Sequence, residues 1–360
     1  MPFMEMIDQR AGIAPLASRK IFGRFSVGAP WVLGASLVLA ALFALSAGRY
    51  SIPLGTVFQI LLAPLSGATP SWSEAEALVV WMVRVPRILM AALIGGGLAL
   101  AGAALQSVFR NPLADPQILG VSSGAALGGV FGLLLAGSGW PLIVGSFAGG
   151  IGALVAVFWL AGGCSKGAGG TVMMVLAGLV IGAVGAAGIA LAKFVSDPEN
   201  QLPSIVFWLL GSLADSNPSR VWLSAPPVLL SALVIFGLRF HLSALAVGDG
   251  DARALGIPVR KVRLLALAAT GLITAASVAA CGIVGWVGLV VPHLVRLGFG
   301  HDYRRFFLNA ALAGAIYLII VDTLARTLAP AEIPLGALTA LLGAPVFACL
   351  LRRMRKEADV

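Results

Sequence analysis

Uncharged stretches alternate with short polar turns along almost the whole chain. Residues 88–109 form 22 positions without a charge, framed by Arg84 and Arg87 before them and Arg110 after. A helix needs roughly 20 apolar residues to cross a bilayer, so this run reads as a span. The turn at 110–116 carries two prolines and cannot continue the helix. No charge follows between 116 and 165, which leaves room for two more spans with a break at 137–141. The same pattern predicts a first span at 25–48, a fifth at 167–192 and a sixth at 221–238. Residues 264–295, broken near 281–285, supply spans seven and eight, 306–325 the ninth and 335–351 the tenth. Residues 205–213 are apolar but too short to cross, so they read as a half-helix. Residues 49–83 hold Pro53, Pro64, Pro70, Glu74 and Glu76, and read as an extramembrane loop with a short amphipathic helix at 54–62.

Glycine spacing adds a second pattern. Gly120, Gly124, Gly128 and Gly132 recur every four residues, which on a helix makes one smooth groove for a neighbouring backbone. Gly178 and Gly182 repeat the spacing in the fifth span. Together with 88–109, this stretch reads as a re-entering helical hairpin built for close packing. A glycine-rich scaffold without a direct role is the alternative.

Composition fixes the class. Of 360 residues, 59% are hydrophobic and 11% charged, where a soluble domain is nearer a quarter charged. The reading is an all-α polytopic membrane protein of about ten transmembrane helices. A single domain at 25–351 lies between an N-terminal segment 1–24 and a tail 352–360. The apolar core at 25–48 exceeds the 7–15 residues of a signal peptide, so it is retained as a span. In a soluble chain a net charge of +9 would suggest nucleic acid. Here it reports orientation instead, and the expected surroundings are a lipid bilayer with no nucleic acid. With the N-terminus inside, all but six of the 24 Lys and Arg fall on the inner side. The six are Arg49, Arg84, Arg87, Lys193, Arg220 and Arg326. Ten spans then put both termini in the cytoplasm. Cys164, Cys281 and Cys349 form no CxxC and suggest neither a disulfide framework nor a metal site.

Candidate chemistry is sparse. Asp322 is the one acid clearly within a span, and Arg326 shares its helix face four residues on, so mutual neutralisation is favoured over a proton relay. His241, His293 and His301 fall near inner ends, and no HExxH occurs. No GxxxxGK[ST] occurs either, so any coupling to ATP must come from a partner. In the inner segment 239–263, Asp249 or Asp251 can cap a short helix over 252–255, which Gly256 and Pro258 stop. Such a helix reads either as a docking knob or as an ordinary interfacial turn. On the outer side Arg84, Arg87 and Arg326 could set the register of an acidic partner or anchor headgroups. An ion-coupled transporter is disfavoured by the scarcity of intramembrane acids, and an intramembrane enzyme by the lack of any nucleophile–base or metal motif.

Five motifs in order carry a resemblance: RVPRILMAALIGGGLALAGAALQ at 84–106, NPLADPQILGVSSGAALG at 111–128, VGDGDARALGIP at 247–258, GIVGWVGLVVPHLVRL at 282–297 and PAEIPLGALTALLGAPVF at 330–347. They resemble the permease subunits of type II ABC importers, the iron-siderophore, haem and cobalamin uptake family. The resemblance implies a ten-helix subunit of the bacterial inner membrane that pairs with a second copy of itself. Two ATP-binding subunits, holding ATP and Mg, would dock from the cytoplasm, and a periplasmic substrate-binding protein from outside. It implies ATPase coupling through Asp249, Asp251, Ala252, Arg253, Leu255 and Gly256, and binding-protein docking through Arg84, Arg87 and Arg326. It implies a cytoplasmic gate at Asn111, Leu113, Thr171 and Val172, and a short outer helix at 205–213. It implies neither catalysis nor a resident cofactor or metal in this chain. Ferric siderophore or haem is the favoured cargo, with cobalamin and molybdate-type oxyanions open.

Overall fold

The computed structural model describes residues 28–48, 50–66, 71–137, 139–162, 169–300, 302 and 304–358. The N-terminal segment 1–24, Lys166, His301 and Cys164 lie outside the described residues, as do the side chains of Thr171 and of 353–358 in the tail. Among the described residues all regular structure is helical.

The chain begins with α1 (Ala29–Ser46) and α2 (Leu54–Ser66), the latter where a short helix was expected. Helix α3 (Glu74–Leu78) opens on a capping box. The Ser73 amide donates to Glu76 Oε2 at 2.8 Å, and the Glu76 amide donates back to Ser73 Oγ at 3.2 Å. It runs through a π-helical segment, Val79–Arg84, directly into α4 (Val85–Phe109). The end of the expected loop is therefore helix, and Glu74–Phe109 is one rod of 36 residues. Pro86 follows the π-helical segment directly, and the rod continues through it.

Helix α4 ends at Arg110, whose left-handed φ of 50° turns the chain. A 3-10 turn (Pro116–Leu119), capped by Asp115 Oδ1 accepting from the Gln117 amide at 2.8 Å, leads into α5 (Val121–Ala136). Then come α6 (Trp140–Leu160), α7 (Gly169–Val195), α8 (Gln201–Leu209), α9 (Pro218–Val247), α10 (Asp249–Ala254) and α11 (Val259–Cys281). Helices α12 (Val287–Phe299), α13 (Phe306–Thr327) and α14 (Leu335–Ala358) complete the chain.

All ten expected spans exist as helices. Seven are long and apolar enough to cross a membrane, while Val121–Ala136, Val287–Phe299 and Leu335–Cys349 are shorter apolar stretches. The half-helix expected at 205–213 is α8, which starts four residues earlier. Helix α9 continues nine residues past its expected end at 238, and reduces the inner loop to α10 and its two flanks.

The core is built on α4, buried on nearly every face from Ile94 to Val108 and packed against α9, α11, α12 and α13. The expected hairpin of α4 with α5 is corrected. Helix α5 packs instead on α6 and α7, because its glycine face meets other glycines there. A Cβ at Gly128 would stand 2.1 Å from the Gly145 carbonyl oxygen, and one at Gly124 would stand 2.3 Å from Ala153 Cβ. Gly120 and Gly178 bring the 3-10 turn against α7: a Cβ on Gly178 would sit 2.2 Å from the Ile118 carbonyl oxygen. Gly182 differs, with no atom nearer than 3.8 Å, so close approach does not require a glycine there. Two further crossings escaped the spacing argument, Gly95 on Gly314 and Gly102 on Gly288, and they hold α13 and α12 against α4.

Candidate functional site

Two polar clusters stand at opposite ends of α4, one around Arg87 and one around Asp249.

At the first, the π-helical segment delivers Arg84, and the next turn of the rod delivers Arg87. Segments of this kind often mark functional stretches of a helix. The Nε of Arg87 donates to Asp322 Oδ1 and Oδ2 at 2.9 and 3.0 Å, and its Nη2 lies 2.8 Å from Asp322 Oδ1. The two Nη atoms reach Glu332 Oε1 and Oε2 at 3.0 and 2.9 Å. One guanidinium thus holds two carboxylates, the fork geometry for which arginine is suited. Glu332 lies in the turn between α13 and α14, so the cluster joins the rod, α13 and that turn.

The other two arginines serve α1. Helix C-termini leave carbonyls unsatisfied, and cations near them are favourable. Arg326 donates to the Ala47 carbonyl at 2.7 Å and the Ala44 carbonyl at 2.5 Å. Arg84 donates to the carbonyls of Leu45, Ser46 and Tyr50. The two guanidinium groups converge so closely that a Cβ at Gly48 would lie 3.0 Å from one and 3.1 Å from the other.

Arg84, Arg87 and Arg326 are 3%, 6% and 9% exposed. The three arginines read as an outer docking or anchoring set are each turned inward and paired with carbonyls or carboxylates. The favoured pairing of Asp322 with Arg326 is also secondary, at 3.6 Å, because Arg87 from another helix approaches closer. Glu332, the least buried member of the cluster, went unnoticed in the sequence because it is 245 positions from Arg87.

At the second cluster, α10 stands between the ends of α9 and α11. It starts at Gly248 without a side-chain cap, so neither Asp249 nor Asp251 caps it as expected. Asp249 lies in its first turn and faces inward, where Arg263 Nη2 donates to Oδ1 and Oδ2 at 3.0 and 3.1 Å. Arg253 approaches to 3.8 Å and Arg110 to 4.0 Å. Ala252 is fully buried, while Leu255 is 60% exposed. Gly256, at φ 75°, ends the helix as the sequence implied: its amide donates to the Arg253 carbonyl and the Ile257 amide to that of Ala252. Arg263 and Arg110 were not read from sequence as partners of Asp249. Charge signs alone do not say which of several arginines turns inward.

The proposed gate residues are placed less closely. Asn111 is exposed, and its Oδ1 accepts from the Leu113 amide at 2.9 Å. Val172 is 60% exposed. The turn and α7 meet at Ile118–Gly120 against Gly178. Between the two ends, Gln106 donates to the carbonyls of Gly288 and Leu289 at 3.3 Å and accepts from Arg296 at 3.1 Å. A small cavity of about 10 Å³, room for one water, has a mixed lining in which Asp115, Gln117, Thr274 and Ser277 face Leu98, Val278 and Trp286. Among the described residues no three His, Cys, Asp or Glu side chains gather where they could hold a metal ion.

Residues 36–353 match the model of the FecCD transport family. The chain is 37% identical over 328 residues to the molybdate import system permease protein MolB of Haemophilus influenzae, covering 89% of this chain and 94% of that one. It is 38% identical over 286 residues to the hemin transport system permease protein HmuU of Yersinia pestis, covering 77% and 84%. A solved structure described as an inward-facing metal-chelate type ABC transporter superposes with a TM-score of 0.80 at 36% identity, covering 90% of this chain and 98% of that one. With its buried central rod, its seven helices of spanning length and its shorter apolar ones, the chain belongs to the FecCD transport family and has the fold of a type II ABC importer permease.

Proposed function

We propose that this chain carries iron chelates, ferric siderophore or haem, across the bacterial inner membrane. It would work as a homodimer with two ATP-binding subunits on the cytoplasmic side and a periplasmic binding protein outside. The observation that carries the reading is α10. It is a six-residue helix held off the end of the helical bundle, with Ala252 buried against the body and Leu255 exposed. Its inward face is fixed to α11 through Asp249, and its outward face is free for an ATPase. The coupling residues are then Asp249, Asp251, Ala252, Arg253, Leu255 and Gly256, on the cytoplasmic side with both termini.

At the opposite end, Arg84, Arg87 and Arg326 order the surface on which a binding protein would dock rather than protrude from it. Asn111, Leu113, Thr171 and Val172 form the inner gate in this reading. The cargo is proposed from the haem relative and the metal-chelate neighbour. A chelate brings its metal already ligated, which suits a body with no cluster of metal-binding side chains among the described residues. A molybdate cargo is the second reading, favoured by the relative that matches over the greater length.

The test is ATP hydrolysis and uptake in liposomes containing the chain, its ATPase and its binding protein. Ferric siderophore, haem, cobalamin and molybdate are offered in turn. Stimulation by ferric siderophore or haem is expected. Stimulation by molybdate or cobalamin alone would reassign the cargo. Uptake that follows an ion gradient without the ATPase would overturn the permease reading.

A further inference from the structure

Asp249 and Arg263 are 14 residues apart, at the start of α10 and in the second turn of α11. Between them run the end of α10, the left-handed Gly256 and Pro258, a turn whose backbone is closed by the Gly256 and Ile257 amides. The pair adds a side-chain tie across this turn. The Arg263 and Asp249 side chains are 5% and 13% exposed, and one Nη of Arg263 holds both carboxylate oxygens. The Nε of Arg263 is buried without a hydrogen-bond partner, and its Nη2 is what holds the Asp249 carboxylate. Helix α10 packs on both α9 and α11, and the Asp249–Arg263 pair is its side-chain tie to α11. Helix α11 is buried from Ala266 to Cys281 and packs on α4, α5, α6 and α9.

We infer that Arg263 is a positioning residue that clamps α10 to α11 through Asp249, so that a push on α10 moves α11 as one body instead of bending the turn. Arg253 at 3.8 Å and Arg110 at 4.0 Å are looser, more exposed neighbours of the same carboxylate, so the buried tie runs from α10 to α11. Coupling of this kind requires a shared element with two arrangements, and its demonstration is energetic rather than spatial. The inference rests on α10 being the site of ATPase docking.

The experiment uses the full complex in liposomes, with ferric siderophore, haem, cobalamin and molybdate each as cargo. Three quantities are read: co-purification of the ATPase, ATP hydrolysis, and cargo imported per ATP. Arg263→Gln is expected to keep the first two and to lower the third by about tenfold. Arg263→Lys, which keeps the charge but not the planar fork, is expected to recover part of the loss. Asp249→Asn combined with Arg263→Gln leaves no buried charge alone but also lacks the clamp, and is expected to import as little per ATP as Arg263→Gln, so wild-type import per ATP in it would overturn the clamp. It also serves if the single variant fails to fold. Unchanged import per ATP in both Gln variants would overturn the clamp, as would loss of ATPase co-purification in both. A wild-type complex that imports without ATP would overturn the permease reading, and the clamp with it.

Discussion

Arg87 and Asp322 form a buried ion pair between the central rod and α13, with Nη2 2.8 Å from Oδ1 and side chains 7% and 3% exposed. Pairs of this burial are strongly coupled to their surroundings, because either charge left alone has no solvent to fall back on.

Removing one partner is therefore expected to cost about 3–5 kcal/mol, while replacing both with apolar residues of similar volume costs much less. Arg87→Met and Asp322→Leu, singly and together, would be compared by thermal unfolding in detergent. Each single variant should unfold well below the wild type, with the double variant between. Glu332 retains part of the Arg87 charge, so Asp322→Leu should be the milder single change.

The cap on α1 yields a local effect. Hydrogen bonds from charged donors contribute about 1.5–3 kcal/mol each. Arg326→Gln removes the charge and the two-nitrogen reach at the α1 carbonyls. Amide exchange over residues 43–50 should accelerate while α4 stays protected. Acceleration spread across the whole bundle would mean that Arg326 supports the core rather than the cap.

The glycines divide into two classes. Gly128→Leu, at a contact where even a Cβ would be 2.1 Å from a backbone oxygen, should separate α5 from α6 and abolish folded yield. Gly182→Ala, with nothing nearer than 3.8 Å, should be tolerated and should raise stability by about 0.5 kcal/mol through helix propensity. Size-exclusion profiles and melting points of the two variants check both statements.

Gly256→Val places a β-branched residue at φ 75° and should cost about 1–2 kcal/mol locally. The expected readout is reduced co-purification of an ATPase subunit with a membrane body whose melting point is nearly unchanged. Equal retention of the ATPase would show that the shape of the α10 turn does not matter for docking.

The apolar runs determined the number and order of the spans, since a bilayer-length stretch without charge has few structures available to it other than a helix. The breaks at 137–141 and 281–285, the α10 position and the glycine groove were all legible, because Pro and Gly act on the local backbone. The groove's partner was not. Gly128 announces that some backbone comes close, and only the packing shows that it is Gly145 of α6 and not the preceding helix. The continuity of Glu74 into α4 was hidden for a similar reason: two acids near prolines read as loop, until Ser73 and Glu76 are seen capping each other.

Charge was the least legible feature. The sequence determined that arginines stand at the ends of spans. Whether each faces outward or inward depends on partners 34 to 282 positions away, such as Tyr50, Asp322, Glu332 and the carbonyls of α1. Hydropathy is a property of the local chain and survives folding, so a single sequence carries it. Burial of a charge is decided by which distant oxygens reach it, and that is settled only when the helices pack.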